Sequence, residues 1–330
     1  MKIGIAGVHY GHIGGMFRSA INAPNGDVIG IYEPRDELYH KYADDNDLQR
    51  FDDLESLVIA SDMVAEGMRH EEKADLVKLC ARHGTYAYLD KPLCRNDDDY
   101  ERIASAVSES GIKLTMNFTS RRYPPFVALQ QAIHNDELGE IVSLITTHPH
   151  KLGSSAPDWY FDSTRYAGVF HDLAGHGVDQ ILWLTGTTAT VVHAMGTAKR
   201  WTTEPVLEVD HIQASIQLSS GALATATADW LTPQNSPSFG DTRFILMGTK
   251  GSAHLHAYAE NGLLICSEKK GRYSPDLPKT SNEGFVEDAI SAFERGEENF
   301  VSTADILSVA RTCLAAERSA RNGGELIRLP

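Results

Sequence analysis

The chain is short of what would make it basic, disulfide-bonded or membrane-spanning. Only 30 lysines and arginines stand against 45 aspartates and glutamates, a formal net charge of −15. A nucleic-acid binder needs a basic face to displace counterions from phosphates, so nucleic acid is not an expected partner. The four cysteines, Cys80, Cys94, Cys266 and Cys313, lie far apart, with no C-x-x-C spacing for zinc or redox work. They read as reduced, mostly buried thiols, and a reducing cytoplasm is the expected compartment. No apolar run approaches the roughly 20 residues that cross a bilayer, and the one starting at Ile3 is soon cut by Gly7 and His9. Neither a signal segment nor a membrane partner is expected.

What is present suits two ordinary cores. The chain has 330 residues, 42% of them hydrophobic, and single cores rarely grow past about 250–300 residues. In the first third, short apolar runs alternate with amphipathic stretches. Strands are predicted at Lys2–Ala6, Asp27–Tyr32, Asp62–Gly67, Thr85–Leu89 and Ile112–Phe118. Helices are predicted at Gly14–Asn22, Asp36–Asp44, His70–His83 and Asp97–Ser110, the last entered through an acidic first turn that suits its dipole. Such alternation predicts an α/β domain, a parallel sheet covered by helices on both faces, over residues 1–120. After Arg121-Arg122-Tyr123-Pro124-Pro125 the strands lengthen, at Glu140–Thr147, Thr190–Met195, His211–Gln217, Ala222–Trp230, Arg243–Met247 and Ala253–Tyr258. Ser219-Ser220-Gly221 and Glu260-Asn261-Gly262 read as hairpin turns. Ile212, Ala214, Ile216 and Leu218 recur with period two, so one face of this sheet is buried. Two helices close the chain, Gly284–Arg295 and Ser302–Asn322. Residues 121–330 are therefore read as an α+β domain on a large, mostly antiparallel sheet.

The first strand runs into Gly7-Val8-His9-Tyr10-Gly11-His12 and then a helix, the setting in which a pyrophosphate sits on a helix N-terminus. A strict G-x-G-x-x-G would need glycine at 9 and 12, where histidines stand; only Gly7 and Gly11 remain. Glu33 follows the second strand, where a carboxylate can accept both ribose hydroxyls of an adenosine. That acid repels a 2′-phosphate and favours NAD; Arg35, two residues on, leaves NADP open.

Three features carry chemistry. Asp90-Lys91-Pro92 ends a buried strand and presents the lysine at the carboxyl edge of a parallel sheet, where ligands bind in such folds. Asp172 and His176 stand four apart in His171–Asp179, so on one helix they share a face. A carboxylate beside an imidazole orients it and raises its proton affinity, as a general base requires. His171, Asp172, His176 and Asp179 could also be metal ligands, but no recognised ligand spacing accompanies them, and no metal is expected. The bland reading of the same segment is a capped helix with a core histidine. Finally, His148-Pro149-His150-Lys151 with Asp158-Trp159-Tyr160 offers imidazole, ammonium and aromatic groups to a polyhydroxylated ligand, with His150 and Trp159 as candidates.

Taken together these motifs resemble the glucose–fructose oxidoreductase/inositol dehydrogenase/MocA (Gfo/Idh/MocA) group. The resemblance runs from Lys2-Ile3-Gly4-Ile5 through Glu33, Asp90-Lys91-Pro92, Arg122-Tyr123-Pro124, Leu138–Ile141, Gly168–Gly186 and Gly248–Gly251 to Ala316–Gly323. It implies a Rossmann-type first domain and a nicotinamide cofactor. Lys91, Asp172 and His176 would be the catalytic groups, converging between the domains beside the nicotinamide. It further implies cofactor contacts from Gly7, His9, Tyr10, Gly11, His12, Glu33, Arg35, Met68, Arg69, His70, Asp90 and Lys91. Substrate contacts would come from Lys91, Arg122, Tyr123, His150, Trp159, Asp172 and His176. The implied reaction is hydride transfer between a secondary alcohol of a sugar, polyol or inositol-like substrate and the nicotinamide, in a homodimer or homotetramer. Two other readings belong to the same fold: an enzyme that retains its cofactor while processing a glycoside, and a non-catalytic nucleotide sensor. Where the group carries Thr-Pro and a histidine, this chain has Met68-Arg69-His70-Glu71-Glu72-Lys73. Glu66 lies inside the preceding strand and is expected at the cofactor edge, paired with Arg69 or another cation.

Overall fold

The computed structural model describes residues 1–9, 12–43, 46–153, 156–203, 206–257, 262–280 and 284–330. The chain divides into two compact units, residues 1–118 with 282–307, and residues 119–281 with 308–330. The first unit begins β1 (Lys2–Val8), α1 (Ile13–Asn22), β2 (Asp27–Tyr32), α2 (Asp36–Ala43), α3 (Leu54–Ala60), β3 (Met63–Gly67), α4 (Lys73–His83), β4 (Tyr86–Leu89), α5 (Asp97–Ser110) and β5 (Leu114–Met116). Its strands pair in the order β2-β1-β3-β4-β5, all parallel. An isolated parallel bridge from Ile31 to Arg50 continues the sheet on the far side of β2. Ile3, Ile5, Met63, Val64 and Ala65 are completely buried, as a parallel sheet covered on both faces requires. Helix ends follow local rules: the Asn96 side chain accepts the Asp99 amide at the start of α5, and left-handed Gly84 and Gly111 terminate α4 and α5. The chain passes from β1 to β2 on one side and to β3 on the other, so the crevice at their carboxyl ends is a topological switch point.

The second unit contains α6 (Pro124–His134), β6 (Ile141–Pro149), a π-helical turn (Phe170–Ala174), α7 (Gly175–Thr185), β7 (Ala189–Thr197), β8 (His211–Leu218), β9 (Leu223–Asp229), β10 (Arg243–Gly248), β11 (Gly251–His256), β12 (Leu263–Ser267) and β13 (Gly271–Tyr273). With β14 (Ile327–Arg328) they form one sheet, β13-β12-β11-β10-β6-β9-β8-β7-β14. Its ladders are antiparallel except the central β6–β9 pair, which is parallel. The period-two reading of β8 holds: Ile212, Ala214, Ile216 and Leu218 are buried between exposed Gln213, Ser215 and Gln217. The turn at Ser219-Ser220-Gly221 joins β8 to β9 as expected. The Asn-Gly turn at 260–262 falls largely outside the described residues. α6 begins directly at Pro124-Pro125, where proline is tolerated because the first helical amides have no partner to lose. α7 packs closely on β6: a Cβ on Gly177 would lie 2.3 Å from His148 Nε2, so only glycine permits the approach.

α8 (Phe285–Glu294) and the start of α9 (Thr303–Arg321) return to the first unit. Phe293 stacks on Tyr86 at 4.5 Å and Phe285 on Tyr88 at 5.2 Å. Edge strand β5 is closed by the same segment, through Leu114 N–H to Thr303 Oγ1 and Thr115 Oγ1 to the Val301 carbonyl.

Candidate functional site

At the carboxyl end of β1, Gly7 has φ +69°, and a Cβ there would lie 2.7 Å from the Met68 side chain. Glycine is thus required both by the left-handed backbone and by the close approach of the loop after β3. The His9 amide donates to the Gly67 carbonyl at 2.8 Å. Tyr10 and Gly11 lie outside the described residues. His12 precedes α1 and turns its Nδ1 to the Asp90 carboxylate, at 3.0 Å and 3.2 Å. The first turn of α1 carries Gly14 and Gly15 and no acid, and a Cβ on Gly15 would meet nothing within 4 Å. A glycine-bearing, acid-free first turn at the positive end of a helix fits a pyrophosphate.

Glu33, just past β2, is completely buried and fully engaged. It accepts the Val8 amide at 3.0 Å, the Arg35 amide at 3.0 Å, and two guanidinium bonds from Arg35 at 2.6 Å and 2.8 Å. Burial pushes its carboxyl up, but the bonds from Arg35 and Val8 outweigh it and hold the group below the usual range. The position reserved by the sequence for ribose recognition therefore holds a shared acid–guanidinium pair, about one third of the Arg35 side chain remaining exposed. His9 is held down to about 4 by burial and by Arg35 and Arg69, so it is a neutral imidazole near neutrality.

Further along the same edge, β3 carries Glu66 with no exposed surface, and its ion-pair partner is Lys73, equally buried, at 3.2 Å. Of the two partners expected from the sequence, Arg69 or another cation, it is the other cation. Arg69 instead pairs with Glu72 and Glu71. Glu66 also accepts the Met68 amide at 2.6 Å. Burial raises its carboxyl to about 7 despite Lys73. His70 is buried in the same loop. Asp90, also fully buried, accepts the Lys91 amide at 2.9 Å. Burial raises Asp90 too, but His12, Lys73 and Lys91 more than offset this and hold it below the ordinary value. The Lys91 side chain lies almost wholly within the protein at this edge.

In the second unit the Asp172–His176 segment is not one uninterrupted α-helix. Asp172 sits in the π-helical turn and His176 in the first turn of α7. π-turns widen a helix locally and recur at functional sites. Glu317 of α9 accepts the Phe170 and His171 amides at 2.7 Å and 3.3 Å, satisfying the start of that turn. Asp172 is completely buried and accepts a hydrogen bond from Tyr166 Oη at 2.9 Å; Tyr166 in turn accepts from Trp230 Nε1 at 3.1 Å. Burial and the Asp172 charge push the Tyr166 phenol well above its usual value, so it remains a donor.

The predicted substrate residues separate into two groups. His150 packs edge-on against Trp230, Tyr160 stacks on Tyr166 at 4.9 Å, and Trp159 meets Tyr160 at 4.6 Å. His150 and Trp159 thus belong to the ring cluster that holds Asp172. Arg122 ends a short turn (Thr119–Arg122) and accepts Thr280 Oγ1 at its carbonyl, while the Tyr123 hydroxyl donates to the Ala257 carbonyl. Asp179, a metal candidate in the sequence, is taken by the buried Arg121 guanidinium at 2.6 Å.

Lys73, Tyr166, Trp230 and Glu317 were missed as site residues by sequence reasoning. Lys73 had a signal: an acid within a parallel strand demands a cation, and Lys73 opens the very next helix. Tyr166 and Trp230 had none, being 64 positions apart.

Comparison with known proteins identifies the family and the fold. A model of the oxidoreductase family, NAD-binding Rossmann fold, matches residues 1–118, and one of the GFO/IDH/MocA C-terminal domain matches residues 126–254. An uncharacterised oxidoreductase of Bacillus subtilis is 26% identical over 64% of this chain and 58% of its own length. Inositol 2-dehydrogenase of Rhizobium meliloti is 28% identical over 74% of each protein. The structure of levoglucosan dehydrogenase in complex with NADH superposes with a TM-score of 0.86 at 20% identity, covering 100% of this chain and 99% of that one, which speaks for the fold. The two family matches together span most of the sequence, and the chain belongs to the Gfo/Idh/MocA family of NAD-binding oxidoreductases.

Proposed function

We propose that this chain interconverts a secondary alcohol of a sugar, polyol or inositol-like compound and the corresponding ketone. The observation that carries the reading is the π-to-α segment. It pairs a fully buried carboxylate, Asp172, with a partly exposed imidazole, His176, four residues on. A capped helix with a core histidine needs neither a buried acid nor the phenol and indole that hold it.

The cofactor is NAD, with the turn from Gly7 to His12 and the start of α1 taking its pyrophosphate and the Glu33–Arg35 pair its adenosine ribose. Arg35 leaves NADP open. When bound, the nicotinamide supplies the hydride acceptor. His176 takes the hydroxyl proton; Asp172 orients the ring and stabilises its charged form. The Lys91 ammonium donates to the reacting oxygen and stabilises charge developing there. His150, Trp159, Arg122 and Tyr123 contact the substrate. Inositol 2-dehydrogenase among the relatives supports a cyclic polyol, and the ring cluster around Asp172 supports a ligand with C–H faces. The same reading includes a cytoplasmic homo-oligomer. Val142, Ile145, Leu223 and Met247, exposed on strands β6, β9 and β10, support the assembly. No helix among the described residues is long and apolar enough to cross a membrane.

The test is formation of reduced cofactor with a panel of inositols, aldoses and anhydro sugars, for wild type, Lys91→Ala and His176→Ala. Turnover by wild type that both variants retain would sink the assignment. Consumption of a glycoside without net NADH would favour the cofactor-retaining enzyme.

A further inference from the structure

We propose that the buried Glu66–Lys73 ion pair is a positioning device for Lys91. The inference rests on the role given to Lys91 above. The backbone ladder between β3 and β4 runs Met63↔Tyr86, Val64↔Ala87, Ala65↔Tyr88 and stops there. Asp90 lies beyond it, and side chains replace the missing rung. The Asp90 amide donates to Glu66 Oε2 at 3.2 Å, and the Asp90 carbonyl accepts Lys73 Nζ at 2.6 Å. The Lys91 amide donates to Asp90 Oδ1 at 2.9 Å. The peptide plane joining Asp90 to Lys91 is therefore pinned at both ends, its carbonyl by an ammonium and its N–H by a carboxylate. A peptide is rigid, so pinning both groups fixes the direction in which the Lys91 Cα leaves the sheet.

Stability alone does not account for the pair. Replacing a buried ion pair by apolar groups of similar volume is often neutral or stabilising by about 1–4 kcal/mol, so a core built only to be firm has no need of it. An apolar pair could not grip a carbonyl and an amide in fixed directions. Directional hydrogen bonds can, and the one from the Lys73 ammonium, at 2.6 Å, is of the short charge-assisted kind. Lys73 and Glu66 touch the backbone that carries Lys91 and act through it.

The experiment uses the pair variant Glu66→Gln/Lys73→Met, because either single change leaves a buried charge unpartnered and endangers folding. Two measurements are made on the full chain. In amide hydrogen exchange, the Asp90 and Lys91 amides should exchange at least about tenfold faster, while those of Ile5 and Val64 keep their wild-type rates. In kinetics with an inositol found active in the panel, kcat should fall about 10- to 100-fold, the scale of an ångström's misplacement, with the Kd for NADH within about twofold. Combined with Lys91→Ala, the pair variant should cause no further loss, since a device acting through Lys91 has nothing left to position. Unchanged exchange at Asp90 and Lys91, loosening of the whole sheet together, or a loss that multiplies with that of Lys91→Ala would each overturn the proposal. If wild type turns over nothing in the panel, the dehydrogenase reading fails on its own, and the exchange measurement still decides whether the pair holds the Asp90–Lys91 peptide.

Discussion

The two units hold their buried carboxylates with different donors. In the first, Glu66 and Asp90 face the ammonium groups of Lys73 and Lys91, and the His12 ring hydrogen-bonds Asp90. In the second, a neutral phenol backed by an indole donates to Asp172, inside a ring cluster. Cations hold a carboxylate strongly but cancel its charge. A neutral donor holds it more weakly and does not itself cancel the charge. The first arrangement suits an edge that must fix an ammonium and accept an anionic cofactor. The second suits a base.

Four predictions break or sharpen this contrast. The largest effect is on turnover: Lys91→Ala and His176→Ala should each lower kcat by about 10²–10⁴-fold, the usual range for positioned acid–base groups and oxyanion donors. Steady-state rates, with NADH binding followed by fluorescence, check this, and a loss traced to cofactor affinity would contradict it. Next comes stability. Lys73→Met alone should destabilise by about 3–5 kcal/mol, because Glu66 loses the ammonium that offsets its burial, whereas the paired change with Glu66→Gln should be close to neutral. Urea unfolding followed separately in each unit gives both numbers.

The third effect is a pH dependence. Glu66 has an ordinary value of 4.5 and is raised to about 7 in the folded chain, facing Lys73 and Asp90. Between those values the folded state binds the extra proton, so the Glu66 contribution to stability is full below about 4.5 and is lost as pH rises through about 7. Glu33 acts oppositely: its depressed carboxyl stabilises above the usual range, and that is lost on acidification. Stability measured against pH should therefore flatten between 4.5 and 7 in the pair variant Glu66→Gln/Lys73→Met; a profile identical to wild type would contradict the raised value. Smallest is Tyr166→Phe, which removes one neutral donor from a buried carboxylate and should cost about 1–3 kcal/mol, less than Lys73→Met. If the two costs are equal, the contrast between cationic and neutral support is wrong.

How much was legible follows from the range of each interaction. The strand edges, the Asp-Lys-Pro exit and the Asp172–His176 spacing lie within a few residues and show in the pattern. Glu66 announces itself as an acid where a parallel strand should be apolar and demands a cation, Arg69 or another; which cation, Lys73, only the structure shows. α3 and α6 were overlooked, the one a seven-residue helix after an aspartate cap and the other masked by Pro124-Pro125. Strands β13 and β14, three and two residues long, are too short for a periodicity to register.

By itself, then, the sequence determined the element types, the parallel-then-antiparallel order and the chemical groups available, since these depend on local periodicity and composition. Only the tertiary structure decided that Glu33 is shared with Arg35, that Lys73 reaches the Asp90 carbonyl, and that Tyr166 and Trp230 close around Asp172. It also decided that the 282–307 segment rejoins the first unit through Phe285 and Phe293. Glu33 and Arg35 are near neighbours brought together by the turn past β2, but Lys73 and Asp90 stand 17 positions apart and Tyr166 and Trp230 stand 64 apart. Strand register and helix packing choose those partners, and no local pattern encodes which distant side chain a buried charge will meet.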